Sequence, residues 1–182
     1  MNIPFKLNKA MAAASILLGD TEHRCMEYMR LLKLLYIVDR EVLAESDAPL
    51  LGNRVVAMKN GPLHSRVFDL IKGEDSLVTT WQRFFTTHAY SIHLNESPEI
   101  SSLSRFEIRK LKEVNDKYRN VGTWELVDLT HEFPEWKQAY PDPTENTSRP
   151  IEFSAIIDAL GRTEDKEHLE TLMAESVQFD SL

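Results

Sequence analysis

Apolar side chains recur at spacings of three or four residues between positions 24 and 45, where they form the longest helical pattern of the chain. The stripe consists of Tyr28, Leu31, Leu35, Val38 and Val42. It is widened beyond the narrow face of a surface helix by Leu32, Tyr36 and Leu43. The pattern therefore predicts a central helix over about 24–45 that other elements contact on several sides.

Two later stretches have the composition of β-strands. Residues 54–58 are short and rich in β-branched side chains, and the stretch 81–94 is rich in aromatic residues and threonine. Apolar and polar positions alternate over 89–94, which is the period of two of a half-buried strand. These features predict a small antiparallel sheet built from about 53–59 and 81–94, with a turn at 60–62.

Terminal signals indicate further helices on both sides of these strands. An alanine-rich stretch over 7–18 ends at Gly19, and the spacing of Ser104 and Glu107 predicts a capping box that starts another helix. Thr123 is expected to cap a shorter helix, and Pro134 to begin the next turn. The expected fold class is mainly α, of the α+β type.

The last forty residues have a different composition from the rest. Residues 141–150 form a polar stretch with three prolines, and two helices are expected at about 152–160 and 163–177. We expect residues 1–140 to form the main domain. Residues 141–182 would then be a linker and an acidic helical pair, which needs a surface to cover because so short a pair is marginal in water by itself. We expect the pair to pack on the same domain, the alternatives being a second copy of the chain or the partner protein.

The net charge of −8 argues against general affinity for phosphate backbones, so nucleic acid is not an expected partner. The charge is uneven, since residues 122–182 hold 4 basic and 14 acidic groups. An acidic helical face can simply be solvated, or it can steer a basic partner towards the chain. On the second interpretation, the candidate partner contacts are Glu164, Asp165 and Glu167.

Several kinds of chemistry have no signature in the chain. The six glycines are never closer than nine residues apart, which excludes glycine-rich phosphate loops, and the histidines lack the spacing of metal ligands. We therefore expect no cofactor, no metal and no catalytic residue, although an enzyme with a dispersed site stays possible. The single cysteine, Cys25, allows no internal disulfide, and no apolar run has the length of a membrane span, so a cytoplasmic location is expected.

Three motifs in order resemble one known family. The helix from Leu31 to Glu41 reads LLKLLYIVDRE, the stretch from Val55 to Pro62 reads VVAMKNGP, and the stretch 126–137 reads LVDLTHEFPEWK. Together they resemble the Panacea antitoxin domain, also called the SocA-like family, over roughly residues 5–140.

The resemblance implies a mostly helical antitoxin of a bacterial or prophage toxin–antitoxin system. Such a protein neutralises a toxin encoded in an adjacent gene by direct contact, and toxic small alarmone synthetases are one class of such toxins. The family also includes an adaptor that delivers a toxin to a ClpXP-type protease, which is the alternative function. The resemblance implies no catalytic residue and leaves the oligomeric state open.

The motif residues have expected roles of two kinds. Structural roles are expected for Leu35, Tyr36, Asp39, Arg40, Gly61, Pro62, Thr130, His131 and Trp136. Among these, Gly61 and Pro62 should form a turn, and the charges of Asp39 and Arg40 should be paired because a buried charge needs a partner. Contacts with a partner protein are expected from Lys59, Asn60 and His64, which flank the turn.

Overall fold

The computed structural model describes residues 4–52, 54–142 and 144–179. Residue 53 of the predicted strand and the last three residues of the tail lie outside this range. The helices are α1 (Leu7–Gly19), α2 (Tyr28–Glu45), α3 (Ser65–Lys72), α4 (Val78–Gln82), α5 (Arg105–Lys117), α6 (Thr123–His131), α7 (Pro134–Ala139), α8 (Phe153–Ala159) and α9 (Lys166–Phe179). The strands are β1 (Cys25–Glu27), β2 (Val55–Met58), β3 (Gly61–His64), β4 (Phe85–His88), β5 (Ser91–Leu94) and β6 (Arg149–Pro150). A mainly α fold with antiparallel β structure is confirmed.

Helix α2 is the centre of the molecule, as its wide apolar stripe predicts. It packs against α1, α3, α5, α6 and α8, and also against β1 and β3. Eleven of its residues are buried, including Lys33 and Asp39. The helix begins at Tyr28 and not at Arg24, because Cys25–Glu27 pairs with β5 as a strand before the chain turns into the helix.

The strands form two sheets, which differs from the single sheet expected. One sheet has the order β1-β5-β4 and the other β3-β2-β6. The two predicted strand regions therefore never pair with each other: Val55–Met58 pairs with Gly61–His64, and Phe85–His88 pairs with Ser91–Leu94. Each region finds its partner in an adjacent hairpin, which has the lowest loop-closure cost.

Of the two helix starts predicted from capping residues, one is confirmed and the other is wrong. Ser104 Oγ accepts a hydrogen bond from Glu107 N at 3.2 Å, and the Glu107 carboxylate accepts one from Ser104 N at 2.7 Å, so the capping box is confirmed. The expected cap at Thr123 is wrong, because the capping position is Gly122, whose N–H donates to the Glu125 carboxylate at 2.7 Å.

Helix α8 packs on α2 and α7, and α9 packs on α8. Ile156 of α8 lies in a buried cluster with Tyr36, Leu43 and Trp136. Arg162 follows α8 and donates hydrogen bonds to the carbonyl oxygens of Leu43 and Ser46, which are left without intrahelical donors at the end of α2. The apolar face of the tail is therefore covered within the chain. None of the described helices is long and apolar enough to cross a membrane.

Candidate functional site

The turn between β2 and β3 consists of Lys59 and Asn60, because Met58 pairs directly with Gly61. The expected turn at Gly61 and Pro62 is therefore wrong, since both residues belong to β3. Pro62 is tolerated there because β3 is an edge strand. Gly61 has a φ of +91°, and a Cβ at this position would lie 2.5 Å from Thr130 Oγ1. The position thus requires glycine both for its backbone and for its close approach to α6.

Three side chains from three different helices bind the backbone carbonyls around this turn. Lys33 Nζ of α2 donates to Pro62 O at 2.8 Å, and His131 Nε2 of α6 donates to Lys59 O at 3.1 Å. Trp136 Nε1 of α7 donates to Met58 O at 3.1 Å. The His131 and Trp136 rings stack with centroids 4.2 Å apart. The turn is therefore held in a fixed position by the motif residues of α6 and α7 together with Lys33.

The electrostatics of these donors follow from their burial. The side chain of Lys33 is fully buried, and burial lowers its pKa to about 7. The pKa of His131 is also lowered, chiefly by burial and further by the charge of Lys33. A neutral imidazole with its proton on Nε2 matches the hydrogen bond to Lys59 O.

A second buried polar group lies behind the hairpin. Glu135 Oε1 accepts hydrogen bonds from Tyr36 Oη and Arg40 Nε, both at 2.8 Å, and the guanidinium of Arg40 also lies over the ring of Phe133. Burial raises the pKa of Tyr36 well above its ordinary value, so the phenol keeps its proton and donates. The group ties α2 to α7.

Asp39 and Arg40 are both paired, though not with each other. Asp39 Oδ1 accepts hydrogen bonds from the N–H groups of Leu50 and Leu51. Its Oδ2 lies 3.2 Å from His64 Nε2, without the alignment of a hydrogen bond. The cavity beside this group measures about 20 Å³ and is lined in part by Phe153 and Ile156 of α8, so it has room for one water molecule and no substrate.

An open groove lies on the outside of the turn. Glu27, Tyr28, Met29, Asn60, Tyr90 and Trp124 line it, and its volume is about 330 Å³. We call this feature the aromatic groove. The side chains of Tyr90 and Trp124 are 76% and 63% exposed, the two most exposed large hydrophobic residues among those the structure describes. Exposed tyrosine and tryptophan at a groove are typical of a protein-binding surface.

Four segments far apart in the sequence meet at the aromatic groove. Tyr28 N donates to Tyr90 O at 2.8 Å, which joins the start of α2 to the β4–β5 turn. Arg30 donates to the carbonyls of Val121 and Tyr118, which fixes the loop in front of Trp124 against α2. Asn60 reaches the groove from the β2–β3 turn. Two of these segments are therefore joined to α2 by hydrogen bonds.

The amino-acid sequence matches the model of one protein family. The model described as antitoxin SocA-like, Panacea domain, matches residues 31–137, well over half of the chain. This chain belongs to the SocA-like antitoxin family. The matched region of the Panacea domain begins within α2 and ends within α7, so it contains every donor that holds the turn. Comparison with curated proteins and with solved structures gives no match.

The predicted partner contacts of this Panacea domain lie in different places. Lys59 is exposed, and Asn60 lines the aromatic groove. His64, at the other end of β3, is only 1% exposed, so it cannot touch a partner in this conformation. Three further contacts predicted on the tail are exposed near the start of α9, namely Glu164, Asp165 and Glu167. Asp165 pairs with Arg162 at 2.8 Å.

Sequence reasoning missed four important residues of the Panacea domain. Lys33 is a cation in the middle of a leucine-rich helix, and this was a usable signal because such a charge needs a partner. Glu135 lies next to the motif tryptophan but carries no pattern of its own. The alternation over 89–94 places Tyr90 on the buried face with Ile92, which is wrong because Tyr90 lies in the turn before β5 and is exposed. Trp124 lies at a helix start, where no periodicity distinguishes a buried aromatic from an exposed one.

Proposed function

We propose that this Panacea domain is an antitoxin that binds the protein product of an adjacent reading frame and silences its toxicity by direct contact. The observation that supports the proposal is the aromatic groove beside the turn that the motif residues hold. In an antitoxin family, an exposed pair of aromatic side chains at a groove is the kind of anchor on which protein interfaces depend. A standard interface of about 800 Å² per partner would cover the groove together with Lys59.

The buried polar groups support a scaffold role for the motif residues. Tyr36 and Glu135 are each 1% exposed and Lys33 is fully buried, while the side chain of Arg40 keeps an exposed fraction of 18%. Catalytic groups need access to a substrate, whereas groups that position a binding loop do not. The geometry therefore favours a binding protein over a small enzyme with a dispersed site.

Co-expression tests the proposal. The adjacent reading frame is induced alone and together with this chain, and growth is measured. Neutralisation should restore growth with the wild type and with Ile100→Ala, which removes an exposed apolar side chain that does not line the groove. It should fall with Trp124→Ala. If the adjacent product does not arrest growth, or if the wild type gives no protection, the proposal is wrong.

The same cells separate direct inhibition from delivery to a protease. Direct binding predicts that the toxin persists at an unchanged or longer half-life while growth recovers. An adaptor predicts that the toxin half-life shortens only when this chain and a ClpXP-type protease are both present. Shortening of that kind would replace the proposed mechanism by the adaptor mechanism.

A further inference from the structure

We infer that the aromatic groove binds a cationic side chain, arginine or lysine, that projects from the partner protein. The identity of the partner rests on the proposed function. The chemistry of the groove depends only on the residues that line it. The faces of tyrosine and tryptophan rings attract cations through their quadrupoles, and a neighbouring carboxylate adds a charged acceptor for N–H donors. The groove offers both.

Two of the aromatic rings lie close together, and a third lines the same groove. Tyr28 and Tyr90 have ring centroids 6.3 Å apart with planes tilted by 31°, and Trp124 lines the same groove. The ring of Tyr28 already has a cation near it, because Lys72 Nζ lies 5.9 Å from its centroid. The exposed faces of Tyr90 and Trp124 leave room for a second cation from outside.

Glu27 is the charged residue that lines the groove. Within the part of the chain that the structure describes, its carboxylate forms neither a hydrogen bond nor an ion pair within 4 Å. Arg30 attracts it electrostatically, but the guanidinium of Arg30 donates its hydrogen bonds to the carbonyls of Tyr118 and Val121. Glu27 therefore has its hydrogen-bonding capacity free for a ligand.

The surroundings of the groove supply one more negative group. Asp128 follows Trp124 by four residues on α6, which places both on one face of the helix, and it is exposed. Lys59 at the turn and Lys72 beside Tyr28 are positive groups that offset the charge of Asp128. The preference for a cation therefore comes from the residues that line the groove and not from the charge of the surrounding surface. An apolar occupant would bury Glu27 without a partner, whereas a guanidinium would pair with it.

A small probe tests this chemistry without any toxin. The 182-residue chain is titrated with N-acetyl-arginine methylamide and, in parallel, with its citrulline analogue, in which a neutral urea group replaces the guanidinium. The indole N–H of Trp124 and the ring signals of Tyr90 are followed by NMR. We expect saturable shifts for the arginine probe with a dissociation constant on the order of millimolar. Binding of the citrulline probe should be roughly tenfold weaker.

Matched variants locate the binding. Glu27→Gln should weaken the arginine probe severalfold, while Glu22→Gln, a change at an exposed carboxylate outside the groove, should leave binding unchanged. Equal binding of the two probes, or no saturable shift, would overturn the inference. So would an arginine response that Glu27→Gln does not alter, or one that maps away from Trp124 and Tyr90.

A charge reversal extends the test to the partner. Glu27→Lys should abolish neutralisation of the adjacent gene's toxin, and a toxin variant with a surface arginine or lysine changed to glutamate should restore it. Neutralisation that needs Trp124 but tolerates Glu27→Lys would overturn the cation inference and leave the proposed function standing. If the adjacent product is not toxic, the proposed function fails, while the arginine titration still decides what the groove binds.

Discussion

Replacing Lys33 by methionine should change how the stability of the protein depends on pH. The ammonium group of Lys33 is buried against β3, where it donates a hydrogen bond to Pro62 O at 2.8 Å. Burial lowers its pKa from 10.5 to about 7. Methionine has a similar length and no charge, so Lys33→Met removes the titration while filling most of the same space.

The expected magnitude follows from proton linkage. Above pH 7 the folded protein holds Lys33 neutral, whereas the unfolded chain keeps the proton up to about pH 10.5. Because the unfolded state binds more protons over this interval, the free energy of unfolding rises with pH. This one group should contribute a rise of about 3 kcal/mol between pH 7.0 and 9.5. The lost hydrogen bond to Pro62 O adds a cost of about 1–3 kcal/mol that does not depend on pH.

Urea unfolding of both proteins between pH 7.0 and 9.5 measures the effect. The difference in unfolding free energy, wild type minus Lys33→Met, should increase steadily with pH by about 3 kcal/mol. The other titrating groups are common to the two proteins, and His131, whose pKa burial and the charge of Lys33 lower below its ordinary value, has already lost its proton over most of this interval. Parallel pH profiles would show that Lys33 titrates normally, and the burial argument would then be refuted.

Three further changes test how the hairpin, the polar group and the tail are held. Gly61→Ala should lower the free energy of unfolding by at least about 2 kcal/mol, because the added Cβ would meet Thr130 and the backbone has a φ of +91°. Gly73→Ala is the control and should cost less, because φ is +80° there but an added Cβ would have no atom within 4 Å. Tyr36→Phe should cost about 1–3 kcal/mol in chemical unfolding, since Glu135 loses a buried donor, and no measurable loss would contradict the hydrogen bond. Truncation after Tyr140 should lower the melting temperature and expose apolar surface to a hydrophobic dye, because Ile151 and Ile156 complete a buried cluster; an unchanged melting temperature would show that the tail is not part of the core.

Local patterns predicted the helices well because their signals lie within a few residues of one another. The stripe of α2 and the capping box of Ser104 and Glu107 are short-range features, and both appear in the structure. Strand pairing depends on residues that the sequence keeps apart. The short runs 53–59 and 81–94 could pair with each other or locally, and only the folded chain shows that each pairs within its own hairpin.

The site was harder to predict than the fold, for a physical reason. The motif residues attract attention because they are polar or aromatic, but most of them are buried and hold backbone carbonyls, as Trp136 does for Met58. The surface they position is made by residues from four separate segments. Neither Tyr90 nor Trp124 has neighbours that mark it as exposed, so their meeting point exists only in three dimensions.

Calorimetric titration of the purified chain into the purified product of the adjacent reading frame tests the central claim most directly. At about 150 mM salt, where exposed charges are largely screened, the account predicts saturable binding by the wild type and by Ile100→Ala. It predicts binding weakened roughly tenfold or more for Trp124→Ala. No binding by the wild type, or equal binding by Trp124→Ala, would contradict the claim that this Panacea domain engages a toxin through the aromatic groove.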